Sequence, residues 1–297
     1  MAKYFRDLSY ICIILFIICI MLSHFPTKSI IQPIEDMADN LDSSENINVY
    51  KELNPFVETI RKQHADIMRN ANMRQEFTAN VSHELKTPLT SISGYSELIE
   101  SGMATNDDVI RFASEIHKNS KRLLTLINDI LRLSQLDEAT GDDVFEKINI
   151  YEIAQSSVEM LQMTADKNNV SITVSGSTQY IYANRQMMDE LIYNLCDNAI
   201  RYNNPGGSVH VSVTKDNSDV IVEVKDNGIG ISKENQQRIF ERFYRVDKSR
   251  SKQTGGTGLG LAIVKHIVAR HENARLELES EEEKGTTIRV IFKTDNM

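Results

Sequence analysis

Residues 76–97 read EFTANVSHELKTPLTSISGYSE, and the spacing within this run decides how the first half of the chain folds. Phe77, Val81, Leu85, Leu89 and Ile92 recur at intervals of four, four, four and three, the period of one face of an α-helix. His83 falls off that stripe, so its imidazole is expected to face away from the adjacent core. Most histidines so placed are inert surface residues, but two neighbours set this one apart. Thr87 lies four residues on and shares its helix face, which brings a hydroxyl within reach of anything attached to the imidazole. Pro88 has no N–H for the carbonyl of Glu84 and its ring presses on that carbonyl, predicting a kink one turn after the histidine. An internal proline costs a helix about 3 kcal/mol, which a sequence normally avoids.

Working outward, the helical pattern extends from about Asp66 to Glu100. After a break at Ser101-Gly102 a second pattern covers Asp107 to Leu136, with Ile116, Leu123, Leu124, Ile127, Ile130, Leu131 and Leu133 on its apolar side. Two long helices joined by a short turn make an αα-hairpin, and one hairpin cannot bury both stripes. A second copy would complete a four-helix bundle, so a homodimer is expected. Upstream, residues 26–72 are polar and acidic, with Pro33 and Pro55 marking breaks, and read as a connector. Further upstream, residues 8–25 (LSYICIILFIICIMLSHF) hold no Asp, Glu, Lys or Arg. A helix of about 18 residues at 1.5 Å per residue covers roughly 27 Å, enough for a transmembrane anchor in membrane lipid. Lys3 and Arg6 also suit a signal peptide, but no small-x-small cleavage site precedes Pro26.

Downstream of the acidic hinge 137–143 the pattern changes class. β-rich runs at Val170–Val174, Val209–Thr214, Val220–Lys225 and Thr286–Phe292 alternate with helical stretches at Ile150–Asn168, Arg185–Tyr202 and Leu259–His271, which predicts an α/β layer domain with a mixed sheet. Four polar patches fall in it. In ELIYNLCDNAIRYN (190–203), Glu190, Asn194 and Asn198 recur every four residues on one helix face. DNGIG (226–230) follows a strand-like run and is a turn signal. IFERFYRVDKSRS (239–251) alternates aromatic and basic residues. TGGTGLGLAIVKHIV (254–268) sets four glycines before a helix, whose free N–H groups suit phosphate. Each alone is weak; four in order within about 75 residues are not.

Composition narrows the rest. The 297 residues carry 33 Lys+Arg against 42 Asp+Glu, net charge -9, with no basic block, so sequence-independent nucleic-acid binding is excluded. Three cysteines, Cys12, Cys19 and Cys196, show no framework spacing, which argues against disulfides and for a reducing compartment. The remaining histidines lack metal-ligand spacing.

The run SHELKTPLT (82–90) closely resembles the phosphoacceptor box of sensor histidine kinases of two-component systems, and the four later patches resemble the Bergerat (GHKL) ATP-binding domain, an α/β sandwich. The resemblance, of the phosphate-regulon sensor type, covers about residue 73 onward. It implies that His83 is phosphorylated on a ring nitrogen, Glu84 is the base, and Thr87 aligns the water that dephosphorylates a partner. It implies that Asn194 ligates Mg²⁺, with Asn198, Arg201 and Tyr202 near the phosphates, Arg201 standing where many relatives have Lys. Asp226 is assigned to the adenine amino group, Gly228 and Gly230 to close approach of the backbone, Arg245 to the γ-phosphate, and Gly256, Gly258, Leu259 and Gly260 to the phosphate cradle. Hydrolysing relatives carry Glu where this chain has Asn194, so ATP is expected to be held for transfer to His83. Where relatives have Gly-Gly after the last pocket helix this chain has HENA, and Asn273 is expected to supply a left-handed cap.

The expected organisation is an anchor at 1–25, a connector at 26–72 resembling the start of a HAMP relay, a dimerisation and phosphotransfer domain at 73–140, and a catalytic domain at 141–297. The expected function is ATP-dependent phosphorylation of His83 with onward transfer to an aspartate of a cytosolic response regulator, from a single-pass protein of the cell membrane. A dimerising ATP-binding module without phosphotransfer, and a phosphatase-dominated switch, remain as rivals. A cytosolic pocket puts Lys3 and Arg6 outside, against the positive-inside tendency. So short a segment before the span leaves no room for an extracellular sensor, or an upstream portion is missing; the signal stays open.

Overall fold

The computed structural model describes residues 2–26, 54–137, 144–246 and 256–293. Residues 27–53, 138–143 and 247–255 lie outside them, and with them the HAMP-like stretch IIQPIEDM, most of the acidic hinge, the end of the aromatic and basic run, and Gly255. The chain divides into two compact units, Met1–Ala79 and Asn80–Met297.

In the first unit, α1 spans Ala2–Pro26. Its described side chains between Ser9 and His24 are all exposed, the apolar Ile11, Ile14, Phe16, Met21 and Leu22 included. Among the described residues no helix is long and apolar enough to cross a membrane. Residues 8–25, expected as a transmembrane span, lie within this helix, but membrane crossing is not shown for it.

Helix α2 runs Asn54–Glu100, starting earlier than the apolar period at Asp66 suggested. Pro55 sits in its first turn, where a missing N–H is harmless, so this proline opens a helix inside the expected connector. Pro88 lies within α2 and is buried, and the helix is unbroken across it. Hydroxyls bracket the proline: Thr87 Oγ1 donates to the His83 carbonyl at 3.2 Å and Ser91 Oγ to the Thr87 carbonyl at 3.2 Å.

In the second unit, α2 turns at Gly102 (φ 70°) into α3, Asn106–Asp137. Thr105 opens α3: its Oγ1 donates to Asp108 at 2.7 Å and accepts from the Asp108 N–H at 3.4 Å, a reciprocal cap. Tyr95 and Phe112 stack across the hairpin with ring centroids 5.2 Å apart. Leu126, Leu133 and Leu136 are buried, while Leu89, Leu124, Ile127 and Leu131 stay exposed.

The α/β part follows as β1 (Glu146–Asn149), α4 (Ile150–Lys167), β2 (Ser171–Gly176), β3 (Tyr180–Ala183), α5 (Arg185–Arg201), β4 (Ser208–Asp216), β5 (Asp219–Asp226), α6 (Gly260–Arg270), β6 (Ala274–Glu281) and β7 (Gly285–Lys293). A five-stranded sheet runs β2-β4-β5-β7-β6, with β2 and β4 parallel and the other pairs antiparallel; β1 and β3 form a separate ribbon. Along β4 and β5, Val209, Val211, Val213, Val220, Val222 and Val224 are buried in strict alternation, the period of a sheet with one covered face. Helices α4, α5 and α6 pack on the sheet and supply Ile153, Leu161, Leu191, Leu195, Ile263 and Ile267 to the core. The expected mixed-sheet sandwich is present. β1, β3 and β6 escaped the sequence reading. Helix α6 ends on extended His271, and Asn273 is not left-handed: non-glycine residues with positive φ among those described are Asn169, Asn217, Phe243 and Glu283. Instead the Asn273 carbonyl accepts from Lys293 N–H at 2.8 Å and starts the β6–β7 pairing.

Candidate functional site

Helix α5 begins at Asn184, whose side chain caps the Met187 N–H at 3.0 Å. Its apolar face (Met188, Leu191, Ile192, Leu195, Cys196, Ile200) is buried, which turns Glu190, Asn194 and Asn198 to the opposite side. These three are half-buried, so the polar stripe faces protein. Asn194 Nδ2 donates to the Glu190 carbonyl at 2.9 Å, which fixes the amide and presents Oδ1.

Oδ1 faces the start of α6. A Cβ on Gly260 would lie 2.9 Å from Asn194 Oδ1 and 3.4 Å from Asn198 Nδ2. A Cβ on Gly258 would lie 3.2 Å from Arg245 Nε, and one on Gly256 would lie 3.6 Å from Tyr202 Oη. Three loop glycines therefore each face a polar side chain of the expected set. Gly258 has φ 76°, which glycine adopts without strain. Leu259, the N-cap of α6, gives no side-chain bond and is fully buried. The first N–H groups of an eleven-residue helix thus open toward this space.

Asp226 ends β5. Its Oδ1 accepts from Gly228 N–H at 2.8 Å and Thr286 N–H at 3.2 Å, and Oδ2 takes no bond from the described residues. Burial pushes its carboxyl up from the usual range, against the lowering by those two bonds. Gly228 and Gly230 have structural work of their own. A Cβ on Gly228 would meet the Tyr202 carbonyl at 2.4 Å, and one on Gly230 the Glu281 carbonyl at 1.9 Å. Burial also raises the Tyr202 phenol. Arg201 Nε donates to Asp197 at 2.5 Å, one turn back.

Arg245 follows a turn in which Phe243 takes φ 63° and donates its N–H to the Gly258 carbonyl at 2.9 Å. An aromatic residue in the left-handed region is strained, and that turn ties the Arg245 segment to the glycine loop. The Arg245 side chain is 5% exposed and its Nε has no hydrogen-bond partner among the described residues, while Nη2 donates to Glu84 Oε2 at 3.2 Å. Arg122 of α3, which no motif singled out, donates to the same oxygen at 3.3 Å. Glu84 thus bonds two guanidinium groups, and His83 beside it is exposed.

The hairpin meets the α/β part at further points. Asp137 pairs with Arg242 at 2.8 Å and with His266 at 3.4 Å. Arg270 Nε donates to the Leu136 carbonyl at 3.1 Å, and Thr257 Oγ1 to Asp129 Oδ2 at 2.6 Å. These pairs join residues more than a hundred positions apart and have no signature in a sequence. Among the described residues no group of three or more His, Cys, Asp or Glu side chains could hold a metal ion; the oxygen presented to Gly260 is the neutral Asn194 amide.

Residues 73–139 match the family model of the His Kinase A (phospho-acceptor) domain, and residues 183–296 that of the histidine kinase-, DNA gyrase B- and HSP90-like ATPase. The chain is 40% identical over 215 residues to the sensor-like histidine kinase SenX3 of Mycolicibacterium smegmatis, covering 72% of this chain and 56% of that protein. It is 36% identical over 219 residues to the sensor histidine kinase WalK of Bacillus subtilis, covering 72% of this chain and 36% of that one. The chain thus spans about half or less of these relatives, whose names replace the narrower phosphate-regulon type. Full-length ShkA, solved in complex with AMPPNP, matches at 25% identity and TM-score 0.54 over 75% of this chain and 47% of its own. The Acinetobacter baumannii histidine kinase AdeS shares the fold at 22% identity and TM-score 0.59, over 72% of this chain and 98% of its own. ThkA, solved with the response regulator protein TrrA, does so at 20% and 0.60, over 84% and 69%.

Proposed function

The chain belongs to the sensor histidine kinases, with a phosphoacceptor hairpin followed by a histidine-kinase-type ATPase domain, and from that premise we propose that it phosphorylates His83 from ATP and passes the phosphoryl group to an aspartate of a response regulator. The observation that carries this reading is the convergence of Tyr202, Arg245, Asn194 and Asn198 on Gly256, Gly258 and Gly260 at the open start of α6. That arrangement offers backbone N–H groups, a guanidinium and amides to a chain of phosphates. The free Oδ2 of Asp226 is an acceptor for the exocyclic amine of adenine.

In the transfer, the bond between the γ-phosphorus and its bridging oxygen breaks, a P–N bond to a ring nitrogen of His83 forms, and ADP leaves. The proton of the other ring nitrogen is drawn by Glu84 as base. Glu84 is freed for this when Arg245 leaves it, and the natural competitor for Arg245 is the γ-phosphate, which carries more charge than one carboxylate. Asn194 Oδ1 would be the protein's oxygen ligand to Mg²⁺, an ion that neutralises the phosphates and keeps most of its shell from phosphate and water. With an amide where hydrolysing relatives have a carboxylate, this position activates no water. Thr87, whose Oγ1 donates to the His83 carbonyl at 3.2 Å, would use a lone pair to align water on a phosphorylated partner, which adds a phosphatase activity.

The exposed apolar residues Leu89, Leu124, Ile127 and Leu131 on the hairpin support a homodimeric four-helix bundle. The exposed apolar residues of α1 between Ser9 and His24 support anchoring in a membrane, with the ATP-using part on the cytosolic side. The organisation that fits is an anchor at 1–25, a connector at 26–72, a phosphotransfer domain at 73–140 and a catalytic domain at 141–297.

Purified protein given γ-labelled ATP is expected to gain an acid-labile, alkali-stable phosphate. His83→Gln should bind a fluorescent ATP analogue normally and gain none. Label of that type on His83→Gln would overturn the assignment.

A further inference from the structure

We infer that Asp129, a carboxylate of the phosphoacceptor hairpin, is a positioning residue for the nucleotide loop and acts through the hydroxyl of Thr257. The inference rests on the reading of residues 256–260 as the phosphate cradle.

Asp129 lies on α3 and its Oδ2 accepts from Thr257 Oγ1 at 2.6 Å, the short distance of a bond to an ionised acceptor. Asp129 is half-buried, and a carboxylate withdrawn from water normally takes a cationic partner. Asp129 does not: Thr257 is its one hydrogen-bond partner among the described residues, and Arg201 acts on it only from a distance, opposed by Asp197. Burial accordingly pushes its carboxyl up from the ordinary range, with the Thr257 bond pulling the other way. Keeping so poorly compensated a charge in place calls for a role beyond packing.

Thr257 shows what that role is. The residue is 8% exposed and stands between Gly256 and Gly258. Its hydroxyl has one proton, given to Asp129, and a lone pair that accepts the Leu259 N–H at 3.3 Å. Leu259 is the N-cap of α6 and makes no side-chain cap of its own. The relay Asp129, Thr257, Leu259 N–H therefore fixes the N-cap residue itself through a side-chain turn, and leaves the N–H groups of the first turn of α6 open. With its proton committed to Asp129, the hydroxyl is held in the one rotamer that bonds the Leu259 N–H and shapes the Gly258 turn. The flanking positions are rigid in consequence, since Gly258 abuts Phe243 and Gly260 abuts Asn194. The hairpin that carries His83 thus reaches across and sets the shape of the loop that grips the nucleotide.

The test uses the full chain, with KM for ATP and the limiting rate of His83 labelling measured separately. Asp129→Asn and Thr257→Val should each raise KM about tenfold, the weight of one charge-assisted hydrogen bond, and leave the rate at saturating ATP within about twofold. The double variant should be no worse than either single one, and Thr257→Ser, which keeps the hydroxyl, should restore the wild-type KM. An unchanged KM in Asp129→Asn, or losses in the two single variants that multiply in the double, would overturn the inference while leaving the kinase reading intact. A fall in limiting rate without change in KM would overturn it too, as would a Thr257→Ser protein that behaves like Thr257→Val. A wild-type chain that neither binds the ATP analogue nor labels His83 would overturn the reading of the site and this inference together.

Discussion

Arg245 Nη2 and Glu84 Oε2 lie 3.2 Å apart although 161 residues separate them in the chain. The pair joins the residue expected on the γ-phosphate to the residue expected to act as base, and each is unavailable for its task while the pair is closed. Arg122 holds the same carboxylate oxygen, so release of Arg245 leaves Glu84 positioned and not adrift.

Substituting Glu84 should therefore separate binding from chemistry. Glu84→Gln frees Arg245 without cost to the pocket, and nucleotide affinity is expected to hold or rise slightly. Labelling of His83 should fall by about a hundredfold or more, the usual scale of a lost general base. Titration with a fluorescent ATP analogue beside single-turnover labelling reads both; a parallel loss of affinity and rate would refute the separation.

Gly230→Ala is expected to destabilise strongly. The residue has φ 66° and a Cβ there would sit 1.9 Å from the Glu281 carbonyl oxygen, so backbone strain and overpacking add, at about 2–5 kcal/mol together. Gly206, with φ 86° and open space around it, carries strain alone, and Gly206→Ala should cost about 1–2 kcal/mol. Denaturant unfolding of both variants gives the comparison, and equal losses would count against it.

His266 predicts a pH dependence. Burial first, then Arg242, lowers its folded-state pKa below the ordinary histidine value of 6.5, with Asp137 opposing. A depressed pKa means that the unfolded chain takes up the proton first. The contribution of neutral His266 is complete above the unfolded value and is lost as pH falls through the folded one. From neutral pH down into the mildly acidic range, wild type should lose stability relative to His266→Gln. Melting temperatures of the two proteins at matched pH would show the curves converging; parallel curves would exclude the effect.

Leu124 and Leu131 of α3 are 63% and 56% exposed. Leu124→Glu with Leu131→Glu should yield a monomer in sedimentation velocity with unchanged far-UV circular dichroism, where wild type is expected to sediment as a dimer. A dimeric double variant would place the partner copy elsewhere.

The periodic elements were legible in the sequence because burial imposes the period. The helix expected at Arg185–Tyr202 is observed at Arg185–Arg201, and the strand expected at Val209–Thr214 lies inside Ser208–Asp216. Residues 54–65 were not read as helix although Val57 is buried and Ile60, Arg61 and His64 are half-buried at helical spacing; two of those four are polar, so the face does not register as an apolar stripe. β1 and β3 have four residues each, too few for alternation to register. Motif residues such as Asn194 and Asp226 could be found from their neighbours in the chain. Arg122 and Asp129 could not, since what distinguishes them is a partner in a distant segment.

Cys196 is wholly buried in α5 and burial pushes its thiol up to about 12. At neutral pH it carries almost no thiolate and is closed to alkylating reagents. The other two cysteines, Cys12 and Cys19, are free and exposed on α1. In the folded chain a membrane-permeable maleimide or nitroxide therefore addresses α1 alone, with no need to remove a background thiol. A third reactive sulfhydryl would be the alarm that the core beneath the nucleotide site has opened.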